Sequence, residues 1–243
     1  MSPETLFLSD LHLTTARPRS VARFLGFLAG RARGAERLYL LGDLFDAYIG
    51  DDDETAPNRA VKQALSRLAE SGTSLFFQHG NRDFLVGRGF CAETGCTLLD
   101  DYAVVDLYGV RALLTHGDLL CTDDLQYQTA RRRIRTDDWK RQALAKPLWL
   151  RQLYARWYRF KSGWDKGSKS EQIMDANPAA VAEVMQRFGT NLLIHGHTHR
   201  PGLHDLTLDG QPARRAVLAE WTEARGHVLR CGGGGSIDVE WIA

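Results

Sequence analysis

The chain has 243 residues, of which 44% are hydrophobic and 25% charged, the balance of a globular protein with a substantial core rather than of a disordered or fibrous chain. Its formal net charge of +1 hides an asymmetry: Cys121 to Ser170 holds 13 Lys and Arg against 5 Asp and Glu, leaving 18 basic and 25 acidic residues elsewhere. No apolar run approaches the roughly 20 residues of a spanning helix. Met1–Thr5 lacks the basic start of a signal peptide. The four cysteines without C-x-x-C spacing fit free thiols in a reducing cytosol.

In chain order, Thr5–Ser9 reads as a first strand and Pro18–Arg33 as a helix with Val21, Phe24, Leu25 and Leu28 on one face. Arg37–Leu41 is a second strand, Arg59–Glu70 a helix stopped by Ser71-Gly72, and Ser74–Gln78 a third strand. This βαβαβ order predicts a layered α/β domain. Tyr102–Leu107 and Val110–Thr115 flank Tyr108-Gly109 as a hairpin. Residues 121 to about 170 break the pattern. They hold Trp139, Trp149, Trp157 and Trp164, four of the six tryptophans, with Leu144, Leu148, Leu153, Trp157 and Phe160 at near-helical spacing among arginines. This segment predicts a helical cap inserted into a core of residues 1–120 and 171–243. Asn177-Pro178 opens a further helix to Phe188, Asn191–His195 is a strand, and from Leu203 the chain reads as antiparallel strands with turns at Asp209-Gly210, Ala224–Gly226 and Gly232–Gly235.

Five apolar runs of strand length stop in metal-capable side chains. They lead into Asp10-Leu11-His12, Gly42-Asp43, Gly80-Asn81-Arg82-Asp83, His116-Gly117-Asp118 and Gly196-His197-Thr198-His199. Each of the first four alone reads as a turn, a cap or a surface histidine, whereas His197-Thr198-His199 beyond an apolar strand rarely serves packing. Together they sit where an open α/β sheet carries its ligands, at strand carboxyl ends. Carboxylate oxygen mixed with imidazole nitrogen suits Mn²⁺, Fe²⁺ or Zn²⁺. His79 and His195 precede their motifs and read as packed histidines, Asp46 as a buttress, and Asp51-Asp52-Asp53-Glu54 as a solvated acidic loop.

The set D-x-H, G-D-x-x-D, G-N-x-[DE], H and G-H-x-H resembles the calcineurin-like metallophosphoesterases. The resemblance implies a β-sandwich flanked by helices and two metals. By resemblance Asp10, His12, Asp43 and His199 hold one, while Asp43, Asn81, His116 and His197 hold the other. Such a pair activates a bridging water and clamps phosphoryl oxygens. Where that family often has His after the Asn, this chain has Arg82, whose planar fork suits a diphosphate. With Ile49-Gly50-Asp51-Asp52, Phe84-Leu85 and Arg200-Pro201, the chain closely resembles the UDP-2,3-diacylglucosamine pyrophosphatase (hydrolase) family of lipid A biosynthesis. That resemblance implies two Mn²⁺ per chain, with Asp43, Asn81, Arg82 and His116 catalytic. It implies substrate contacts at Asn81, Arg82, Asp124, Ser162, Lys166, Lys169 and His197. It further implies an UDP-diacylglucosamine lipid substrate, a cytoplasmic protein peripheral on the anionic inner face of the inner membrane, and no nucleic-acid partner. A phosphodiesterase or nuclease of the same superfamily, gripping nucleic acid with the basic aromatic cap, and a non-catalytic lipid- or RNA-binding module are the alternative readings.

Overall fold

Side-chain alternation along the strands sorts the apolar residues into three layers. In the computed structural model, which describes residues 3–157, 175–233 and 235–243, strand β1 (Glu4–Leu8) turns Leu6 and Leu8 to one face and Phe7 to the other. Strand β2 (Arg37–Leu41) does the same with Leu38 and Leu40 against Tyr39 and Leu41. Burial on both faces explains why these strands read as continuous apolar runs.

Helices α1 (Pro18–Ala29), α2 (Ala56–Glu70) and α3 (Arg88–Thr94) cover the Leu6 face, and Phe24, Val61, Leu65 and Phe90 join its core. The sheet beneath them has six strands. Its parallel centre is β1, β2 and β3 (Ser74–Gln78), with β4 (Thr97–Leu99) on one edge and β10 (Gly226–Gly232) and β11 (Ile237–Ile242) on the other. A second sheet of five strands takes the order β5 (Ala103–Leu107), β6 (Val110–Leu114), β7 (Leu192–His195), β9 (Gln211–Val217) and β8 (Gly202–Leu208). Phe7, Tyr39, Leu114, Ile194 and Ala216 fill the space between the sheets. Leu113 and Leu193 point the other way, onto Val181, Val184 and Met185 of helix α7 (Pro178–Phe188). The arrangement is a β-sandwich flanked by helices, as the sequence predicts.

Three details depart from the sequence reading. Helix α1 stops at Ala29 because Gly30 follows, and α2 begins three residues early, with Pro57 in its first turn where a missing N–H costs nothing. Elements α3 and β4 were not anticipated, since Gly87, Gly89 and Gly95 punctuate seven helical residues into something that reads as loop. Strand β9 runs parallel to β7, not only antiparallel to β8. Between β6 and β7, which pair in parallel, the connection holds a 3₁₀ turn (Asp118–Leu120), α4 (Leu125–Ile134), α5 (Asp137–Leu144) and a helical stretch at 148–157, labelled α6. The sequence-predicted positions Phe160, Ser162, Trp164, Lys166 and Lys169 lie outside the described residues.

Candidate metal centre

Five strands deliver the candidate ligands, three parallel in one sheet and two parallel in the other. Asp10 and His12 follow β1, Asp43 follows β2, Asn81 follows β3, His116 follows β6, and His197 and His199 follow β7. The loops are stitched by backbone bonds, from Asp10 N to Gly42 O at 3.1 Å, His12 N to Asp43 O at 2.9 Å and Gly196 N to His116 O at 2.8 Å. Asp10, His12, Asp43, His197 and His199 all adopt positive φ, between 48° and 68°. Such a conformation costs about 1–3 kcal/mol per non-glycine residue and persists only where the surroundings over-determine it. Two glycines let the loops close: a Cβ at Gly80 would stand 2.2 Å from Asp43 Oδ1, and one at Gly196 2.0 Å from Ser9 Oγ.

Donor atoms of Asp10, His12 and His199 lie within 4.8 Å of one another, as do those of Asp10, Asp43 and His116. Asp43 stands between these groups, with Oδ2 3.9 Å from His12 Nδ1 and Oδ1 3.8 Å from His116 Nε2. Asn81 Oδ1 is 3.1 Å from His116 Nε2. The His197 ring packs 5.0 Å from that of His116, and its backbone N–H donates to Asp10 Oδ2 at 2.8 Å. The structure therefore brings together all seven residues named as ligands.

The orienting groups are equally specific. His116 Nδ1 meets Leu41 O at 2.8 Å, so that nitrogen carries a proton and Nε2 faces the cluster. His199 Nδ1 meets Glu220 Oε2 at 3.1 Å, which aims its Nε2 at Asp10 Oδ1, 3.3 Å away. Ser9 Oγ donates to Asp10 Oδ2 at 2.6 Å. Asp83 accepts from Gly80 N at 2.8 Å and Leu44 N at 2.7 Å, tying the Asn81 loop to the Asp43 loop. Asp46 joins that framework through its N–H to Leu13 O at 3.1 Å.

Electrostatics makes the cluster suited to cations. Burial, reinforced by the charge of Asp10, pushes the Asp43 carboxyl up to about 6 against the pull of His116. Burial also lifts Asp83 to about 6, with Asp43 adding to it. Burial works against ionised Asp10 too, but the hydrogen bond from His199 and the charges of His116, His199 and His12 hold its carboxyl far below the usual range. Burial lowers His12 to about 4 and His197 to about 3, which leaves neutral imidazoles with free lone pairs. His199 goes up to about 9: burial opposes its charge, and the hydrogen bonds to Asp10 and Glu220 outweigh it. Crowded buried carboxylates beside the neutral imidazoles of His12 and His197 draw positive charge, which His199 supplies in part and divalent cations supply when bound. The residues present fit a metal site of mixed oxygen and nitrogen donors.

Other predicted positions divide. Arg82 places its backbone N–H on Asp43 Oδ1 at 2.8 Å, and among the described residues nothing hydrogen-bonds its guanidinium. Asp124 caps α4, accepting from Tyr127 N at 3.0 Å. His79 and His195 are packed, bonded to Val86 O and Gly196 O. The acidic loop is not simply solvated. Asp51 takes the N–H groups of Gly87 and Gly89, Asp52 pairs with Arg151, Asp53 caps Thr55 N, and Glu54 pairs with Lys62. Sequence reading gave no role to Glu220 or Asp118. Glu220 follows β9 as the ligands follow their strands. Asp118 is buried and receives Arg131 Nε at 2.7 Å and the Tyr127 hydroxyl, anchoring α4 beside His116.

A family model for calcineurin-like phosphoesterases matches residues 4–201, and the chain belongs to that family. It is 51% identical over 231 residues to the UDP-2,3-diacylglucosamine hydrolase of Aeromonas salmonicida (strain A449), covering 95% of this chain and 90% of that protein. It is 49% identical over 219 residues to that of Marinobacter nauticus, covering 90% of each. It is 50% identical over 218 residues to that of Pseudomonas aeruginosa (strain UCBPP-PA14), covering 89% of this chain and 90% of the relative. Within the calcineurin-like phosphoesterases, the chain thus falls in the family of the UDP-2,3-diacylglucosamine hydrolases.

Proposed function

We propose that this protein hydrolyses the pyrophosphate bond of UDP-2,3-diacylglucosamine, with water, to UMP and 2,3-diacylglucosamine 1-phosphate in lipid A biosynthesis. The observation that carries the reading is the convergence of Asp10, His12, Asp43, Asn81, His116, His197 and His199 in one cluster, in a chain half identical to hydrolases of that name. Two Mn²⁺ ions would be held by Asp10, His12, Asp43 and His199 on one side and by Asp43, Asn81, His116 and His197 on the other. Bound there, divalent ions activate water and neutralise phosphoryl oxygens.

The remaining work belongs to the chain. Asn81 and His197 border the space where the diphosphate must lie. Arg82, with its guanidinium uncommitted, holds diphosphate oxygens bidentately and offsets charge developing in the transition state. His116, held by Leu41 O, keeps Nε2 in place beside Asn81. Asp124, Ser162, Lys166 and Lys169 of the proposed cap, residues 121–170 over a core of 1–120 and 171–243, contact sugar and phosphate.

The acyl chains need an apolar surface. An open groove of about 670 Å³ runs along Leu125, Thr129, Ala130, Arg133, Ile134 and Trp139. Trp139 packs 5.8 Å from Phe84, two residues beyond Arg82, so the groove adjoins the reacting end. No helix among the described residues is long and apolar enough to cross a membrane. Leu125, Leu144, Trp149, Leu153, Tyr154 and Trp157 are exposed on α4, α5 and α6, which supports a peripheral seat on the anionic cytoplasmic face of the inner membrane.

The deciding assay incubates purified protein with Mn²⁺ and UDP-2,3-diacylglucosamine and looks for UMP. UMP release with no cleavage of single-stranded DNA or RNA supports the reading. Nuclease activity without UMP release overturns it.

A further inference from the structure

The turn from α3 into β4 brings two thiols together. Gly95 takes φ 72°, and its N–H closes a 2.9 Å bond to Cys91 O. A left-handed helix cap of this kind folds the chain back, so the residue just past the glycine lies over the last turn. Here that residue is Cys96 and its neighbour in the last turn is Cys91, with the sulfurs 3.7 Å apart. Cys96 is buried at 6% exposure, whereas Cys91 is half-buried at the rim of the core and reachable from solvent.

An apolar contact across such a cap is common, and two alanines or valines would make it. Two cysteines add chemistry that those residues lack. The Cys96 S–H directed at Cys91 Sγ favours the Cys91 thiolate against the opposing effect of burial, and holds its pKa below the ordinary thiol value. Closing a disulfide here would bring the sulfurs from 3.7 Å to about 2.05 Å, in a turn next to a seven-residue helix. The other two cysteines, Cys121 and Cys231, are buried separately and serve as internal controls.

We propose that Cys91 and Cys96 are a reversible oxidation site that closes to an intramolecular disulfide on reaction with a peroxide. The Cys91 thiolate attacks one peroxide oxygen, the O–O bond breaks, and hydroxide departs with the electron pair, leaving a sulfenic acid. The Cys96 sulfur then attacks the Cys91 sulfur. The S–O bond breaks, and the departing hydroxide takes up the Cys96 proton as water. In balance, two thiols and one hydrogen peroxide give one disulfide and two waters. A dithiol carries the reaction back.

The test treats the metal-loaded full chain with hydrogen peroxide, traps remaining thiols with N-ethylmaleimide, and maps tryptic fragments by mass. The fragment Gly89–Arg111 holds Cys91 and Cys96 and neither of the other cysteines. The expected result is loss of two hydrogens from this fragment, with no alkylation, restored by dithiothreitol, while Cys121 and Cys231 remain alkylated. In Cys96→Ser the same fragment should stop at a sulfenic acid that dimedone traps. The proposal is overturned if the wild-type fragment keeps both thiols alkylatable. It is overturned equally if Cys91 goes on to sulfinic acid with no disulfide form at any peroxide dose.

Discussion

Asp43 turns one carboxylate oxygen toward His12 and the other toward His116, so its loss removes charge from both halves of the cluster. Asp43→Ala is expected to abolish turnover with Mn²⁺ while the far-ultraviolet circular dichroism stays that of the parent. Near-normal turnover in that variant would remove the shared-ligand assignment. Glu220 acts at one remove, through the Nδ1 of His199. Carboxylates in that position typically contribute about 10–100-fold to metal affinity, so Glu220→Ala should weaken metal binding by that factor in a calorimetric titration. Glu220→Gln should recover part of it, because the amide oxygen still accepts from Nδ1. Equal affinity in parent and Glu220→Ala would count against the role. Arg82 is different again: among the described residues its guanidinium makes no hydrogen bond, while its charge acts on His12 and Asp43. Arg82→Lys keeps charge and loses the fork, and Arg82→His restores the commoner residue of the superfamily. Both should lose about 10²–10³ in kcat on the UDP-lipid, the usual scale for one electrostatic donor, yet retain their metals. An Arg82→Ala protein as fast as the parent would end the phosphate-clamp reading. The seven ligand candidates were legible from sequence because each stands just past an apolar run. Glu220 follows the same rule but was passed over, because the region after Leu203 reads as antiparallel hairpins and β9 also pairs in parallel with β7.

At the scale of elements, the basic segment, whose charge excess suggests an anionic partner, is partly spent inside the molecule. Arg131 is buried against Asp118 and reaches Asp101 at 2.9 Å, and Arg135 donates to Gly80 O at 2.8 Å. Arg151, only 7% exposed, donates to Ile49 O at 2.6 Å and pairs with Asp52, fastening α6 to the loop before α2. A charge count along the chain cannot show this, because burial of an arginine depends on carboxylates and carbonyls distant in sequence. Asp52→Ala removes the only charged partner of that guanidinium among the described residues, and because the Asp52 carboxylate is 60% exposed, solvent screening holds such a pair to about 0.2–1 kcal/mol. The variant should lose stability of that order in a denaturant titration, with α6 becoming the first site of proteolysis. The pairing also has a pH signature. The bond from Arg151 lowers the Asp52 pKa, so its contribution is fully present above the ordinary carboxylate value and fades as pH falls through the lowered one. The stability difference between parent and Asp52→Ala should therefore shrink in acid and hold near neutral pH. A difference independent of pH would show that Asp52 acts through packing alone.

Over the whole molecule, the candidate metal site and the exposed apolar surface lie in parts of the chain that the sequence already distinguished by composition. The candidate ligands close the strands of an acidic sandwich, and Trp149, Leu153 and Trp157 project from α6 in the basic insertion. Half or more of each of these three side chains faces water, which a protein tolerates at a contiguous site only when something apolar covers it in use. Burying one such side chain contributes about 1.5–3 kcal/mol, and about 1.4 kcal/mol is tenfold in affinity. Replacing Trp149 and Leu153 with serine should therefore raise KM for the diacylated substrate at least tenfold per site while leaving metal content unchanged. Turnover of a water-soluble phosphodiester should also stay at the parent value, because that substrate has no acyl chains to lose. Measured side by side, the two substrates separate the explanations. A parallel loss on both, together with lost metal, would mean the substitutions disturb folding. Unchanged KM on the lipid would mean these side chains are not where the acyl chains or the bilayer rest.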